Sequence, residues 1–145
     1  MKKIFISYSH KDEKLKDEFE THLSGLKRQN IIDVWNDRQV LIGEKWDDKI
    51  KQMLTSSDIV IFLISSDFLA SEYINENEIK ETIRRHHLNQ VCIVPVFLRP
   101  CDFESSILSE FQGVPRDAEF ITKWSCVDSA FLAVVQELKK IINEF

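Results

Sequence analysis

The sequence predicts an α/β domain: a parallel sheet with helices on both faces. Three observations carry this. Short apolar runs recur along the 145 residues, and they lack the apolar–polar alternation of half-exposed strands. The segments between them repeat apolar residues every three or four positions, as amphipathic helices do. Strand and helix patterns alternate four or five times, which implies right-handed βαβ units. With 43% apolar residues, ten Phe and three Trp, the chain can bury a two-sided core as one domain over residues 1–145.

The elements follow in order. Ile4–Tyr8 reads as a buried strand, Ile31–Trp35 as a second, and Asp58–Ile64 (DIVIFLI) as the strongest third. Val91–Leu98 (VCIVPVFL) is a fourth, and Glu119–Thr122 a short fifth. Leu15, Phe19, Leu23 and Leu26 share one helical face, and Trp46, Ile50, Met53 and Leu54 another. A third helix begins near Ser71. The last carries Phe131, Val134, Val135, Leu138, Ile141 and Ile142, with Asp128 or Ser129 as its N-cap. The expected architecture is a flavodoxin-like three-layer sandwich, its five parallel strands in the order 2-1-3-4-5.

Charge and cysteine usage exclude several functions. Nineteen basic residues against 24 acidic ones leave a net charge of −5, the wrong balance for a nucleic-acid partner. The densest basic run, Arg84-Arg85-His86-His87, reads as a solvated helix end. Cys92, Cys101 and Cys126 are odd in number and form no CxxC, which points to reduced thiols and a cytoplasmic address. Neither a signal peptide nor an apolar run of about 20 residues is present, so no direct membrane contact is expected.

Open parallel sheets bind ligands beyond the carboxyl ends of their strands, where strand order reverses. Here that crevice lies between strands one and three, at Ser7-Tyr8-Ser9-His10 and Ser65-Ser66-Asp67-Phe68. Only Gly25, Gly43 and Gly113 occur, so there is no GxGxxG or P-loop and no tightly held dinucleotide cofactor is expected. No GxSxG, HExxH or paired Cys/His spacing supports a serine hydrolase or a metal site. His10 beside Ser9 reads as a polar loop residue. A phosphoacceptor reading fails because Tyr8-Ser9 and Ile64-Ser65 stand where acidic residues are required.

The third helix gives a sharper signal. With Ile74 at zero and about 100° per residue, Ile79 falls near 140°, Ile83 near 180° and Glu78 near 40°, inside the apolar arc. A carboxylate aimed at the sheet beside the loop after strand three is costly unless it is paired or has a task. A salt bridge to a neighbouring Arg or Lys is the competing account.

These residues resemble a known family. KKIFISYSHKDE resembles the opening strand and first loop of Toll/interleukin-1 receptor (TIR) domains. VWNDRQVLIGEKW resembles their segment after strand two, the BB loop, and DIVIFLISSDFLASEY with Glu78 resembles the third strand and helix of bacterial members. The resemblance spans nearly the whole chain. It implies one of two functions: assembly with other TIR domains as a scaffold, or cleavage of the nicotinamide–ribose bond of NAD+. In the enzymes a glutamate follows strand three, here Glu78. The family often has an aromatic four residues earlier; here Ile74 stands there and Tyr73 lies five before. The product is linear or cyclised ADP-ribose, and bacterial defence is the setting the resemblance implies.

The chemistry supports that assignment on its own terms. Loss of nicotinamide spreads positive charge over the ribose, as in glycoside hydrolysis, and a nearby carboxylate stabilises it. Glu78 is the expected catalytic group. Tyr8, Phe68, Tyr73 and Trp35 are candidates to face the nicotinamide, with Trp46 more simply a core residue of its helix. Ser9, Ser65, Ser66 and Asp67 are candidates for ribose or pyrophosphate. Asp37 lies in the W-x-D core of the BB loop, and Arg38 and Lys45 are expected to balance phosphate charge from that loop. Val40, Leu41 and Ile42, followed by Gly43, form an apolar stretch expected at the surface, a contact for a second TIR domain. The sequence thus predicts an NAD+ glycohydrolase switched on by self-assembly, with a sensor or oligomerisation domain lying outside this chain. The alternatives are a non-catalytic scaffold and an enzyme acting on other nucleosides or nucleotides.

Overall fold

A computed structural model describes residues 1–116 and 119–144. Four parallel strands, β1 (Lys2–Ser7), β2 (Ile32–Trp35), β3 (Ile59–Ile64) and β4 (Cys92–Phe97), lie in the order β2-β1-β3-β4. Ile4 pairs with Ile59 and Ile59 with Cys92, so β1 and β3 run level through the centre. All six residues of β3 are buried, as their unbroken apolar run requires.

Strand parity divides the core in two. Ile4, Ile6, Ile59, Ile61 and Leu63 face α1 (Glu13–His22), α2 (Ser24–Arg28) and α6 (Val127–Glu144), packing on Phe19, Leu23 and Phe131. Phe5, Val60, Phe62 and Ile64 face α3 (Trp46–Thr55), α4 (Ser66–Ala70) and α5 (Lys80–His87), packing on Ile50, Leu54 and Ile79. This is the three-layer arrangement the sequence predicts.

Three expectations need correction. The fifth strand is absent among the described residues: Ile121–Lys123 forms a 3₁₀ turn instead. Glu119–Thr122 carries only two apolar residues between polar ends, and the edge of β4 is met elsewhere, by one isolated parallel bridge from Val96 to Val114. Pro115 follows and has no N–H with which to extend the ladder. The last helix starts at Val127, so Asp128 lies in its first turn and contacts His22 at 3.0 Å. Arg85 is buried rather than solvated. Its guanidinium donates to the carbonyls of Leu54 (2.8 Å) and Gln90 (3.2 Å), two chain-end acceptors that otherwise lack partners from regular structure. Among the described residues no helix is long and apolar enough to cross a membrane.

Candidate active site

A cleft of about 250 Å³ opens beyond the carboxyl ends of β1 and β3. Its floor is Glu78, which the backbone delivers in an unusual way. After α4, capped by Ser65 Oγ on the Phe68 N–H (3.1 Å), the chain breaks at Ser71. It then re-enters as a π-turn over Ile74–Ile79 before continuing as α5. In a turn closed by i→i+5 bonds, residues i, i+4 and i+5 share a face. Ile74, Glu78 and Ile79 are accordingly all buried, whereas a plain α-helix would swing Ile79 well away from Ile74.

Glu78 is only 6% exposed. Ser7 Oγ, at the end of β1, donates to Glu78 Oε1 at 2.6 Å, and no cation pairs with the carboxylate among the described residues. Burial raises the carboxyl from its ordinary value to about 7; the Ser7 hydrogen bond and His10 oppose this, and Asp37 reinforces it. The anticipated salt bridge is therefore not what Glu78 makes.

Aromatic rings line the walls. Trp46 and Tyr73 pack with centroids 4.8 Å apart, and Tyr8 and His10 with centroids 5.8 Å apart. Burial, then the Glu78 carboxylate, pushes the Tyr73 phenol up, so it stays a hydrogen-bond donor at neutral pH. Asp37 enters from the loop after β2, where Asn36 and Gln39 form a reciprocal capping box. His10 Nε2 holds Asp37 Oδ2 in a very short contact.

Next to the cleft lies a second polar cluster. Asp12, 1% exposed, accepts from Arg99 Nε (2.5 Å) and from Ser65 Oγ (2.5 Å), and Arg99 Nη2 also reaches Asp67 Oδ2 (2.5 Å). The Arg99 guanidinium holds the Asp67 carboxyl below its usual range. This cluster ties together the loops that follow β1, β3 and β4.

The structure sorts the residues that the sequence singles out. Tyr8, Ser9, Asp37, Tyr73 and Glu78 line one cleft. Ser65, fully buried, and Asp67 are engaged in the Arg99 cluster, and Phe68 is core against Phe62. Ser66 is exposed, outside the cleft lining. Trp35 donates to Asp33 (2.8 Å) and packs under Lys3, away from the cleft. Arg38 makes a two-pronged contact with Glu13 (2.5 and 2.7 Å), and Lys45 sits exposed before α3. In the loop, Leu41 and Ile42 project into solvent while Val40 folds onto the α3–α5 side of the core. Gly43 adopts φ +92°, a conformation that favours glycine.

Sequence reasoning missed Ser7, His10, Trp46 and Ser71 as lining or supporting groups, and Asp12 and Arg99 as their neighbours. Ser7 had a usable signal: it shares strand parity with Phe5, whose face packs on α3 and the π-turn. Arg99 had none, because 87 positions separate it from Asp12.

The sequence pattern of the TIR domain family matches residues 4–125. The uncharacterized protein y4lF of Sinorhizobium fredii (strain NBRC 101917 / NGR234) is 39% identical over 140 residues, 97% of this chain; the chain spans 43% of that relative's length. A crystal structure of a prokaryotic SEFIR domain superposes with a TM-score of 0.56 at 16% identity, covering 98% of this chain and 92% of that one. At that identity the likeness is one of fold. With a match over most of its length and the sheet order and cleft described above, the chain belongs to the TIR domain family.

Proposed function

We propose that the cleft is the active site of an NAD+ nucleosidase that releases nicotinamide and linear or cyclised ADP-ribose. The observation that carries this reading is Glu78: a carboxyl 6% exposed, without a cation partner among the described residues, on the floor of a cleft walled by aromatic rings. Nicotinamide departs as a neutral molecule, so no general acid is required. The need is for negative charge beside the ribose as it becomes cationic, in a site that excludes water. Glu78 supplies that charge once ionised, and the cationic nicotinamide of NAD+ favours ionisation on binding. Trp46 and Tyr73 offer ring faces to the base.

Leu41, 70% exposed, and Ile42, fully exposed, favour assembly as part of the same mechanism. Two adjacent apolar side chains in solvent suit a contact with a second TIR domain, and a neighbour seated there would also close the cleft near Asp37. The reading extends to a cytoplasmic role in bacterial immune defence, for which loss of cellular NAD+ during phage infection is the measurement. The second reading is a non-catalytic scaffold that signals through the same loop.

The test is nicotinamide release from NAD+ by concentrated protein, with and without a crowding agent, beside Glu78→Gln. Release by wild type and none by the variant supports the enzyme. Silence from wild type even when clustered by a fused oligomeriser leaves the scaffold.

A further inference from the structure

Two buried polar atoms in the cleft lack hydrogen-bond partners among the described residues: Tyr8 Oη and Asp37 Oδ1. Tyr8 is 5% exposed and the Asp37 side chain 13%. Leaving such groups unmatched costs roughly 1–3 kcal/mol each, so a native structure retains them where something else completes them. The two lie close enough for the Asp37 carboxylate, together with burial, to push the Tyr8 phenol up. Tyr8 therefore remains a donor at neutral pH, while Asp37 Oδ1 is an acceptor. Neither side chain is loose. The Tyr8 ring packs in the core with Lys16 Nζ 5.1 Å from its centroid, and His10 holds the other Asp37 oxygen, Oδ2.

A fixed donor beside a fixed acceptor describes the complement of one chemical group. We propose that Tyr8 Oη and Asp37 Oδ1 recognise a primary carboxamide, the phenol donating to its carbonyl and the carboxylate accepting from its NH2. A sugar diol fits less well. A carboxylate clamps a diol by accepting from both hydroxyls with its two oxygens, and His10 occupies one of them. A carboxamide needs one acceptor and one donor side by side, and it is coplanar with an aromatic ring that the Trp46–Tyr73 wall can face. A carboxylate in the same place would set its charge against Asp37, so the pair also excludes the acid analogue. Identifying the carboxamide as that of nicotinamide rests on the NAD+ nucleosidase reading; the donor–acceptor pair itself does not.

The test measures binding of free nicotinamide and free nicotinate by ligand-observed NMR, in crowding agent, to wild type, Tyr8→Phe, Asp37→Asn and Glu78→Gln. Thermal melts check folding; Tyr8→Phe keeps the ring and loses only an unmatched hydroxyl, so its melt does not fall. Wild type binds nicotinamide at least about tenfold more tightly than nicotinate, and Tyr8→Phe loses about tenfold for nicotinamide. Asp37→Asn narrows the preference by admitting nicotinate, and Glu78→Gln keeps it. Equal binding of the two ligands, undetectable binding of nicotinamide, or wild-type affinity in Tyr8→Phe overturns the proposal. NAD+ turnover followed in parallel separates the two readings. Selective nicotinamide binding without turnover, even on clustering, removes the nucleosidase and leaves the carboxamide site; turnover with equal binding does the reverse.

Discussion

Two carboxylates buried at the same end of the sheet are treated in opposite ways. Asp12, after β1, meets the Arg99 guanidinium at 2.5 Å and the Ser65 hydroxyl at 2.5 Å, and Arg99 bridges onward to Asp67. Glu78 has only the neutral Ser7 hydroxyl, at 2.6 Å, and burial raises its carboxyl to about 7. Both are inaccessible by exposure alone, at 1% and 6%. The difference lies in matching: Asp12 is compensated by charge and serves as a joint between loops, whereas Glu78 is left poised, facing a cleft. Burial of a carboxylate is thus weak evidence of function, and burial without a cation, at a cleft floor, is stronger evidence.

The comparison can be broken most sharply at Glu78. Glu78→Gln is expected to lower nicotinamide release by a factor of about 10³ or more, a loss of roughly 4 kcal/mol of transition-state stabilisation. The same variant should be the more stable protein at alkaline pH. Between about 4.5 and about 7 the folded wild type holds a proton that the unfolded chain has released, so wild-type stability falls as pH rises through that window. Gln carries no such penalty. Melts at pH 8 should therefore favour the variant by up to roughly 3 kcal/mol, with little difference at pH 5. A variant less stable at both pH values would mean that Glu78 is structural.

At the other carboxylate, Arg99→Met leaves Asp12 buried without its cation and is expected to cost about 3–5 kcal/mol in denaturant unfolding. A cost below about 1 kcal/mol would show that the cluster is surface-like, and the contrast with Glu78 would lapse. The pH profile sharpens the comparison further. Because ionised Glu78 is the active form, kcat/KM for NAD+ should rise with pH and reach half its plateau near 7. Activity that is flat from pH 5 to 8 would assign the chemistry elsewhere.

Smaller effects follow from the partners. Ser7→Ala removes the hydrogen bond that lowers the Glu78 carboxyl, so the half-point should move upward by up to about one unit, with roughly 1 kcal/mol lost in stability. The smallest stability effect is expected at the exposed loop. Leu41→Asp with Ile42→Asp should change unfolding free energy by less than about 0.5 kcal/mol per site, yet weaken self-association in sedimentation. Activity per molecule would then stop rising with concentration. Catalysis already first order in wild-type protein, down to monomeric concentrations, would remove assembly from the mechanism.

Some of this was legible in the residues and some was not. The β1, β3 and β4 runs, DIVIFLI above all, announce strands because unbroken apolar stretches have only the interior to occupy. The inward aim of Glu78 was legible from its place among Ile74, Ile79 and Ile83, although the reason was incomplete. A wheel turned at the α-helical angle sets Ile79 far round from Ile74, and it is the π-turn that brings both beside Glu78. Glu119–Thr122 was misread because two apolar residues are too few to say whether a backbone pairs or turns.

By itself the sequence determined the sheet class, the neighbours β1 and β3, the segments that meet at their ends, and one carboxylate turned toward them. These are local facts of periodicity, and they survive any packing that keeps the apolar faces covered. Only the tertiary structure decided which polar groups satisfy one another. Arg99 takes Asp12 and Asp67 out of the candidate site, His10 takes one oxygen of Asp37, and Ser7 alone reaches Glu78. Hydrogen bonds and ion pairs act over about 3 Å between residues up to 87 positions apart, and no local pattern of residues encodes a meeting at that distance.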